Sequence, residues 1–202
     1  KSSEPIDMHW ISNDSFDYAC SIYDDEFALP ISRTEELATL QRSTPATHRR
    51  EVRFFKPEFF CVVDTLRSRD GKPHDYELRF HLDTLKLERF ADIQGAWLSD
   101  FGRKHDVLIV PLWTEGLESQ VLQGVDEPPM GGWFVGRNDL TRHKCSTLTM
   151  TVRAETNHRF CTLFIPVQRD GIMPILRRRN DKLFELAVNG RNFAISPDVL
   201  NK

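Results

Sequence analysis

The stretch PATHRREVRFFKPEFFCVVDTLRSRDGKPHDYELRFHL, residues 45–82, predicts three β-strands joined by two turns. The first strand, residues 49–55, ends at Lys56-Pro57, because proline has no backbone N–H for a sheet and disfavours helix at the preceding residue. The second strand, residues 59–66, is apolar on both faces, as expected of a central strand covered on two sides. In the third, apolar and polar residues alternate strictly, which predicts a half-buried strand. Its core-facing side chains are predicted to be Tyr76, Leu78, Phe80 and Leu82.

Short strands continue along most of the chain. Spacing-by-two of apolar residues predicts a strand that runs to Tyr23 and ends at Asp24-Asp25. An apolar run at 107–113 predicts a buried strand, with Pro111 indicating an edge or a bulge and residues 117–123 as its hairpin partner. Further strands are expected at 147–153 and 158–165, joined by a connection of hairpin length, and a last meander at 173–178, 183–188 and 191–195. Asn189-Gly190 is typical of a type I′ hairpin turn.

The strand pattern predicts an all-β antiparallel sandwich with little helix. Segments 85–90 and 97–101 fit either strand or a turn of helix. One short helix is predicted at 31–40, where Ser32 and Glu35 form a capping box; it is either a surface turn over a sandwich edge or a lid that touches a ligand. With 202 residues, the chain is expected to form a single domain, residues 1–202.

Composition excludes several classes of function. The net charge of −3 offers no overall attraction for nucleic acid or for an anionic membrane, and no apolar run is long enough to span a bilayer. The four cysteines are scattered without a CxxC motif, so free buried thiols are expected. The seven histidines lack metal-ligand spacing, so no metal site and no catalytic residue is assigned. Nothing at Lys1 resembles a natural start, and we expect upstream sequence.

Two places carry candidate binding residues. Alternation puts His48 and Arg50 on one face of their strand, where an imidazole and a guanidinium can meet a carboxylate; the alternative is an ordinary ion-paired strand edge. Trp133 follows a Gly-Gly pair and either stacks on a sugar ring or anchors the turn. A basic run at residues 177–179 reads as a solvated face, or as a contact with an anionic glycan.

The order of several motifs resembles the carboxy-terminal β-sandwich of heparinase II/III-like polysaccharide lyases. HRR at residue 48, KP at 56, VVD at 62 and HDYELRFHL at 74 follow one another as in that family. Gly132-Trp133, a strand ending near Arg153, and FCTLFIP at 160–166 resemble its later strands. The resemblance therefore spans residues 45–166.

The resemblance implies a two-part enzyme that cleaves a uronic-acid-containing polysaccharide, of heparan sulfate, heparin or alginate type, by β-elimination. An (α/α) toroid domain upstream would supply most catalytic residues, and this sandwich would form the other wall of the cleft. In family members, the sandwich residues that act lie largely in an HAD-type motif and an HNT-type motif. Neither motif is present here, so the chain alone, without the toroid, is expected to be inactive. His48, Arg50 and Trp133 are the substrate-binding candidates. The resemblance further implies a periplasmic or secreted protein and allows a divalent metal held by upstream residues.

A second hypothesis belongs to another class: a non-catalytic carbohydrate-binding or scaffolding sandwich. A helix-rich region with HAD and HNT motifs upstream of Lys1 would favour the lyase, whereas a signal peptide directly upstream would favour a free-standing binding module. Neither hypothesis names the polysaccharide or the cleavage mode.

Overall fold

The computed structural model describes residues 6–23, 46–136 and 141–196. These residues form sixteen strands and contain no helix; the helix predicted at 31–40 lies outside them. The strands are β1 Ile6–Ser12, β2 Phe16–Tyr23, β3 Ala46–Phe55, β4 Phe59–Ser68, β5 His74–Leu82, β6 Lys86–Arg89, β7 Trp97–Asp100, β8 His105–Pro111, β9 Glu118–Leu122, β10 Trp133–Val135, β11 Arg142–Lys144, β12 Ser146–Ala154, β13 Asn157–Gln168, β14 Ile175–Asn180, β15 Leu183–Val188 and β16 Arg191–Ile195.

The strands build a sandwich whose central layer is an eight-stranded antiparallel sheet. Its strand order is β1-β2-β3-β4-β13-β8-β7-β6. A three-stranded sheet, β5-β12-β9, packs against one face of this layer, and the sheet β14-β15-β16 packs against the other. A small hairpin, β10-β11, completes the described strands. The predicted all-β sandwich is confirmed.

Strand β4 lies at the centre because both of its faces are apolar. Phe59, Cys61 and Val63 are buried in the core under the sheet β14-β15-β16, whereas Leu66 belongs to the core under β5 and β12. Strand β13 alternates in the same way and pairs with β4 on one side and β8 on the other. Two cores therefore share the same central strands.

Residues 45–82 form three strands as predicted, and β3 and β4 are slightly longer than the sequence indicates. Strand β4 is paired on both edges, by β3 and β13, so its central place is confirmed. On β5, Tyr76, Leu78 and Leu82 are buried against the central layer, and Phe80 is partly buried there with its ring 5.0 Å from that of Phe164. The Asn189-Gly190 turn has positive φ at both residues, 49° and 75°, as a type I′ turn requires.

Three expectations about strand pairing are wrong. Strand β9 pairs with β12 in the flanking sheet, not with β8, because the chain crosses between layers after Pro111. Strand β8 is internal, between β13 and β7, so Pro111 marks neither an edge nor a bulge; it is the last residue of its strand, where the missing N–H is harmless. The short connection between β12 and β13 turns a corner between two sheets and does not close a hairpin.

Candidate functional site

A buried carboxylate holds the two basic candidates together on the outer part of the central sheet. Strands β3 and β4 pair so that Arg50 lies directly opposite Asp64, with His48 one step further along the same face. The Asp64 Oδ1 atom accepts a hydrogen bond from Arg50 Nε at 2.6 Å and lies 2.6 Å from His48 Nε2. His48 and Arg50 therefore lie on one face, as alternation predicts, and both pair with a carboxylate of the protein itself, as in the alternative of an ion-paired strand edge; their contact with a substrate stays a prediction.

The burial of this cluster is strongly graded. The Asp64 side chain is fully buried at 0% exposure, whereas those of His48 and Arg50 are 22% and 45% exposed. Within the described part of the chain, Asp64 Oδ2 has no hydrogen-bond partner, whereas Oδ1 holds Arg50 through Nε. The hydrogen bond through Nε fixes the plane of the guanidinium. The two terminal nitrogens lie in that plane, and their N–H groups have the geometry that suits a carboxylate or sulfate.

The opposite face of the same strands carries a second polar network that the sequence did not suggest. The Tyr18 hydroxyl donates to buried Glu51 at 2.9 Å, and Arg49 donates to the same oxygen at 3.2 Å. Burial and the Glu51 carboxylate raise the pKa of Tyr18, so the phenol stays protonated. This network joins β2 to β3 and stabilises the outer strands.

Trp133 lies away from this cluster, on β10 of the small hairpin. The Arg142 guanidinium lies 4.0 Å from the centre of its ring, and Lys144 Nζ lies 5.9 Å from it, so cations contact the aromatic ring. The hairpin that carries Trp133 is a separate sheet from the one that carries His48 and Arg50. The preceding Gly132 has φ of 75°, and a Cβ there would lie 2.4 Å from the backbone of Gln123, so the turn requires glycine. The two readings of Trp133 both remain predictions.

The remaining sequence candidates are involved in local pairs. Arg178 and Arg179 form ion pairs with Asp181 and Glu185, each at 2.6 Å, which agrees with a solvated basic run. All four cysteines are free and buried, as predicted. Over residues 6–23, 46–136 and 141–196, no group of three or more His, Cys, Asp or Glu side chains is arranged to hold a metal ion. In the same residues, no helix is long and apolar enough to cross a membrane.

The architecture is that of a domain found in heparinase-type lyases. Three solved structures share it. The heparan sulfate lyase HepC from Pedobacter heparinus matches with a TM-score of 0.66 and 13% sequence identity over 94% of this chain. The heparinase III that is the BT4657 gene product matches with a TM-score of 0.59 and 15% identity over 93% of this chain, and a further heparinase III with a TM-score of 0.59 and 12% identity over 96%. The resemblance predicted from the motifs is thus confirmed for the fold.

The same comparisons cover only a part of those enzymes. This chain spans 27% of HepC, 26% of the BT4657 product and 27% of the third chain. No protein-family model matches the sequence, and a comparison with curated proteins finds no match.

Proposed function

We propose that this chain is the carboxy-terminal sandwich domain of a polysaccharide lyase that acts on a uronic-acid-containing polysaccharide, of heparan sulfate, heparin or alginate type. The observation that carries the proposal is the fold match to HepC over 94% of the chain. The chain forms a single domain that packs on an (α/α) toroid domain of the same polypeptide and closes one wall of the cleft.

In this proposal Arg50 binds the carboxylate of the uronate. β-Elimination removes the proton at C5, the C4–O bond breaks with its electron pair going to the leaving oxygen, and a C4=C5 double bond forms. Charge that develops beside the carboxylate is stabilised by a cation held in place beforehand. Asp64 supplies that positioning by fixing Arg50 Nε, and the hydrogen bond to Asp64 does not use the terminal nitrogens, which can therefore meet the uronate. His48 lies beside it as a second donor or acceptor for the sugar.

Trp133 contributes a second, more distant contact with the polysaccharide. Its indole lies beside the Arg142 guanidinium, which also pairs with Asp126, and an aromatic ring next to an arginine suits a sugar ring that carries an anionic group. The base that removes the C5 proton, and any divalent metal, belong to the upstream region in this proposal. The isolated chain is therefore inactive, and the protein acts in the periplasm or outside the cell.

The test uses the full-length gene product and heparan sulfate, heparin and alginate as substrates, with absorbance of the unsaturated product as the readout. We expect turnover of one of these polymers, and Arg50→Ala is expected to lower kcat/KM by about 100-fold, because it removes a charge contact made in the transition state. Arg177→Ala, on the exposed β14, is the matched control and is expected to change little. Trp133→Ala is expected to raise KM more than it lowers kcat.

Two outcomes contradict the proposal. If the full-length protein cleaves none of the three polymers but binds one of them, the chain belongs to the non-catalytic carbohydrate-binding alternative. If the 202-residue chain alone turns over substrate, the assignment of the base to the upstream region is wrong.

A further inference from the structure

One face of the outer strands continues the buried core into solvent. Trp10, Ala19, Val52 and Val62 lie side by side across β1, β2, β3 and β4, each directly opposite the next. Val62 is buried, whereas Trp10 at the other end of the row is 70% exposed. The sheet β5-β12-β9 packs over the inner strands of this face, so the apolar row extends beyond its cover.

The uncovered part of this face forms a shallow apolar hollow. We name it the Trp10 face and define it by Met8, Trp10, Val52, Phe54 and Phe60. Met8 and Trp10 are 69% and 70% exposed, and Phe60, stacked on Phe54 with ring centres 4.2 Å apart, is 39% exposed. Next to Met8, Trp10 and Val52 lies a volume of about 510 Å³, bordered by Arg50. Exposed clusters of Trp, Met and Phe beside an Arg are typical of protein interfaces.

The chemistry of the hollow selects the occupant. A saccharide placed there would lose water from its hydroxyls and find few partners, because the polar side chains of the lining are those of His9, Ser21 and Arg50 and the rest of the lining is largely apolar. A second copy related by a two-fold axis would bring the same patch onto itself and would offer Arg50 no carboxylate, because the lining residues include none. A different protein surface, apolar at its centre and leaving Arg50 at its rim open to solvent, meets neither problem.

We infer that the Trp10 face is the surface on which another domain of the same polypeptide packs. The inference rests on the proposed function, and it adds the location of the interface. A lyase of the length of HepC would contain such a domain, because this chain spans only 27% of HepC. The partner covers Met8, Trp10 and Phe60, and its rim ends at Arg50. Arg50 then lies at the seam between the two domains, where an acidic sugar can reach its terminal nitrogens.

The test measures side-chain accessibility in the full-length protein with Trp10→Cys and Ile11→Cys. Ile11 is a matched control: it is the next residue on β1, is 52% exposed, and pairs with Tyr18 on the opposite face. The four native cysteines described are buried, so a maleimide reports the introduced thiol, located by peptide mass spectrometry. We expect Trp10→Cys to react about tenfold or more slowly than Ile11→Cys, because reaction requires the domains to separate. Phe60→Cys provides a second reading of the same face and is expected to react slowly too.

Three results overturn the inference. Equal rates for Trp10→Cys and Ile11→Cys mean that the face is uncovered. Protection that disappears on dilution, as the particle mass falls to one chain, assigns the face to a second copy. Protection that appears only after heparan sulfate or alginate oligosaccharide is added assigns it to the sugar. Lyase activity of the unsubstituted protein is measured separately: activity without protection refutes the interface alone, and protection without activity refutes the proposed function alone.

Discussion

The inner and outer halves of the central sheet share one hydrogen-bonding pattern but differ in what covers them. In the inner half, β4, β13 and β8 are covered on both faces, and residues such as Phe59, Leu163 and Ile109 are fully buried. In the outer half, β1 to β3 extend past the flanking sheet, and the most buried side chain of β3 is Glu51 at 3%. The comparison teaches that the flanking layers, not the strand pairing, decide where this sheet is a core and where it offers charged and exposed groups.

The largest effect is expected from truncating a ring in the inner half. Phe59→Ala should lower the free energy of unfolding by about 3–5 kcal/mol, because the side chain is fully buried and would leave a cavity. Its ring lies 4.7 Å from that of Phe55 and 5.1 Å from that of Phe193. Phe54→Ala in the outer half is the control, with an expected loss of about 1–2 kcal/mol. Urea denaturation measures both free energies of unfolding. Equal losses would contradict the difference in covering between the inner and outer halves.

The next effect concerns the ion pairs where the two halves meet. Arg50→Ala should lower the free energy of unfolding by about 2–3 kcal/mol, since Asp64 stays buried with one partner fewer. The half-exposed position of Arg50 keeps this below the loss expected of a fully buried pair. Asp64→Asn should cost only about 1 kcal/mol, because no buried charge is left behind. The double variant should therefore be more stable than Arg50→Ala, and denaturation showing the reverse order would contradict the assignment.

A smaller effect is expected with pH, from His158 on β13. Burial lowers the pKa of this histidine below its ordinary 6.5, so the folded state holds the neutral ring. The unfolded chain then binds more protons as the pH falls below 6.5, and the free energy of unfolding decreases in that range and is retained above it. His158→Phe keeps the ring contacts with Tyr76 and Phe160. This variant should flatten the pH dependence between about pH 7 and 5; an unchanged slope would show that other groups cause it.

The smallest effect concerns local opening, which thiol reactivity reports without any change in stability. Cys20 lies on β2 in the outer half, whereas Cys61 and Cys161 lie in the inner half with their sulfur atoms 3.7 Å apart. All three thiols are buried, so the native protein should react slowly with a thiol reagent. Burial also raises the pKa of the Cys161 thiol, which lowers its share of the reactive thiolate. Cys20 should react about tenfold faster than the inner pair, because outer strands open locally. Simultaneous labelling would indicate that the sheet opens as one unit.

Local signals in the sequence account for much of the inner half. The strict alternation from Tyr76 to Leu82 and the two apolar faces after Phe59 determine strands and core side directly, because side-chain direction has a period of two. The same reasoning put His48 and Arg50 on one face. It did not find Asp64, since a carboxylate after two valines normally lies in water, and only the pairing of β3 with β4 brings the two basic groups onto it.

The pairing of strands that are distant in the chain could not be predicted from the sequence. The sequence predicts a hairpin of β8 with β9 and a connection of hairpin length between β12 and β13, yet each pair lies in two different layers. By itself the sequence determined that the chain is an antiparallel sandwich and which side chains fill its centre, because both follow from local periodicity. The tertiary structure is needed to show that β13 inserts between β4 and β8, that Asp64 fixes Arg50, and that Trp10 and Met8 are exposed among the described residues. These depend on contacts between residues far apart in the chain, whose free energy comes from burial and register that no local pattern contains.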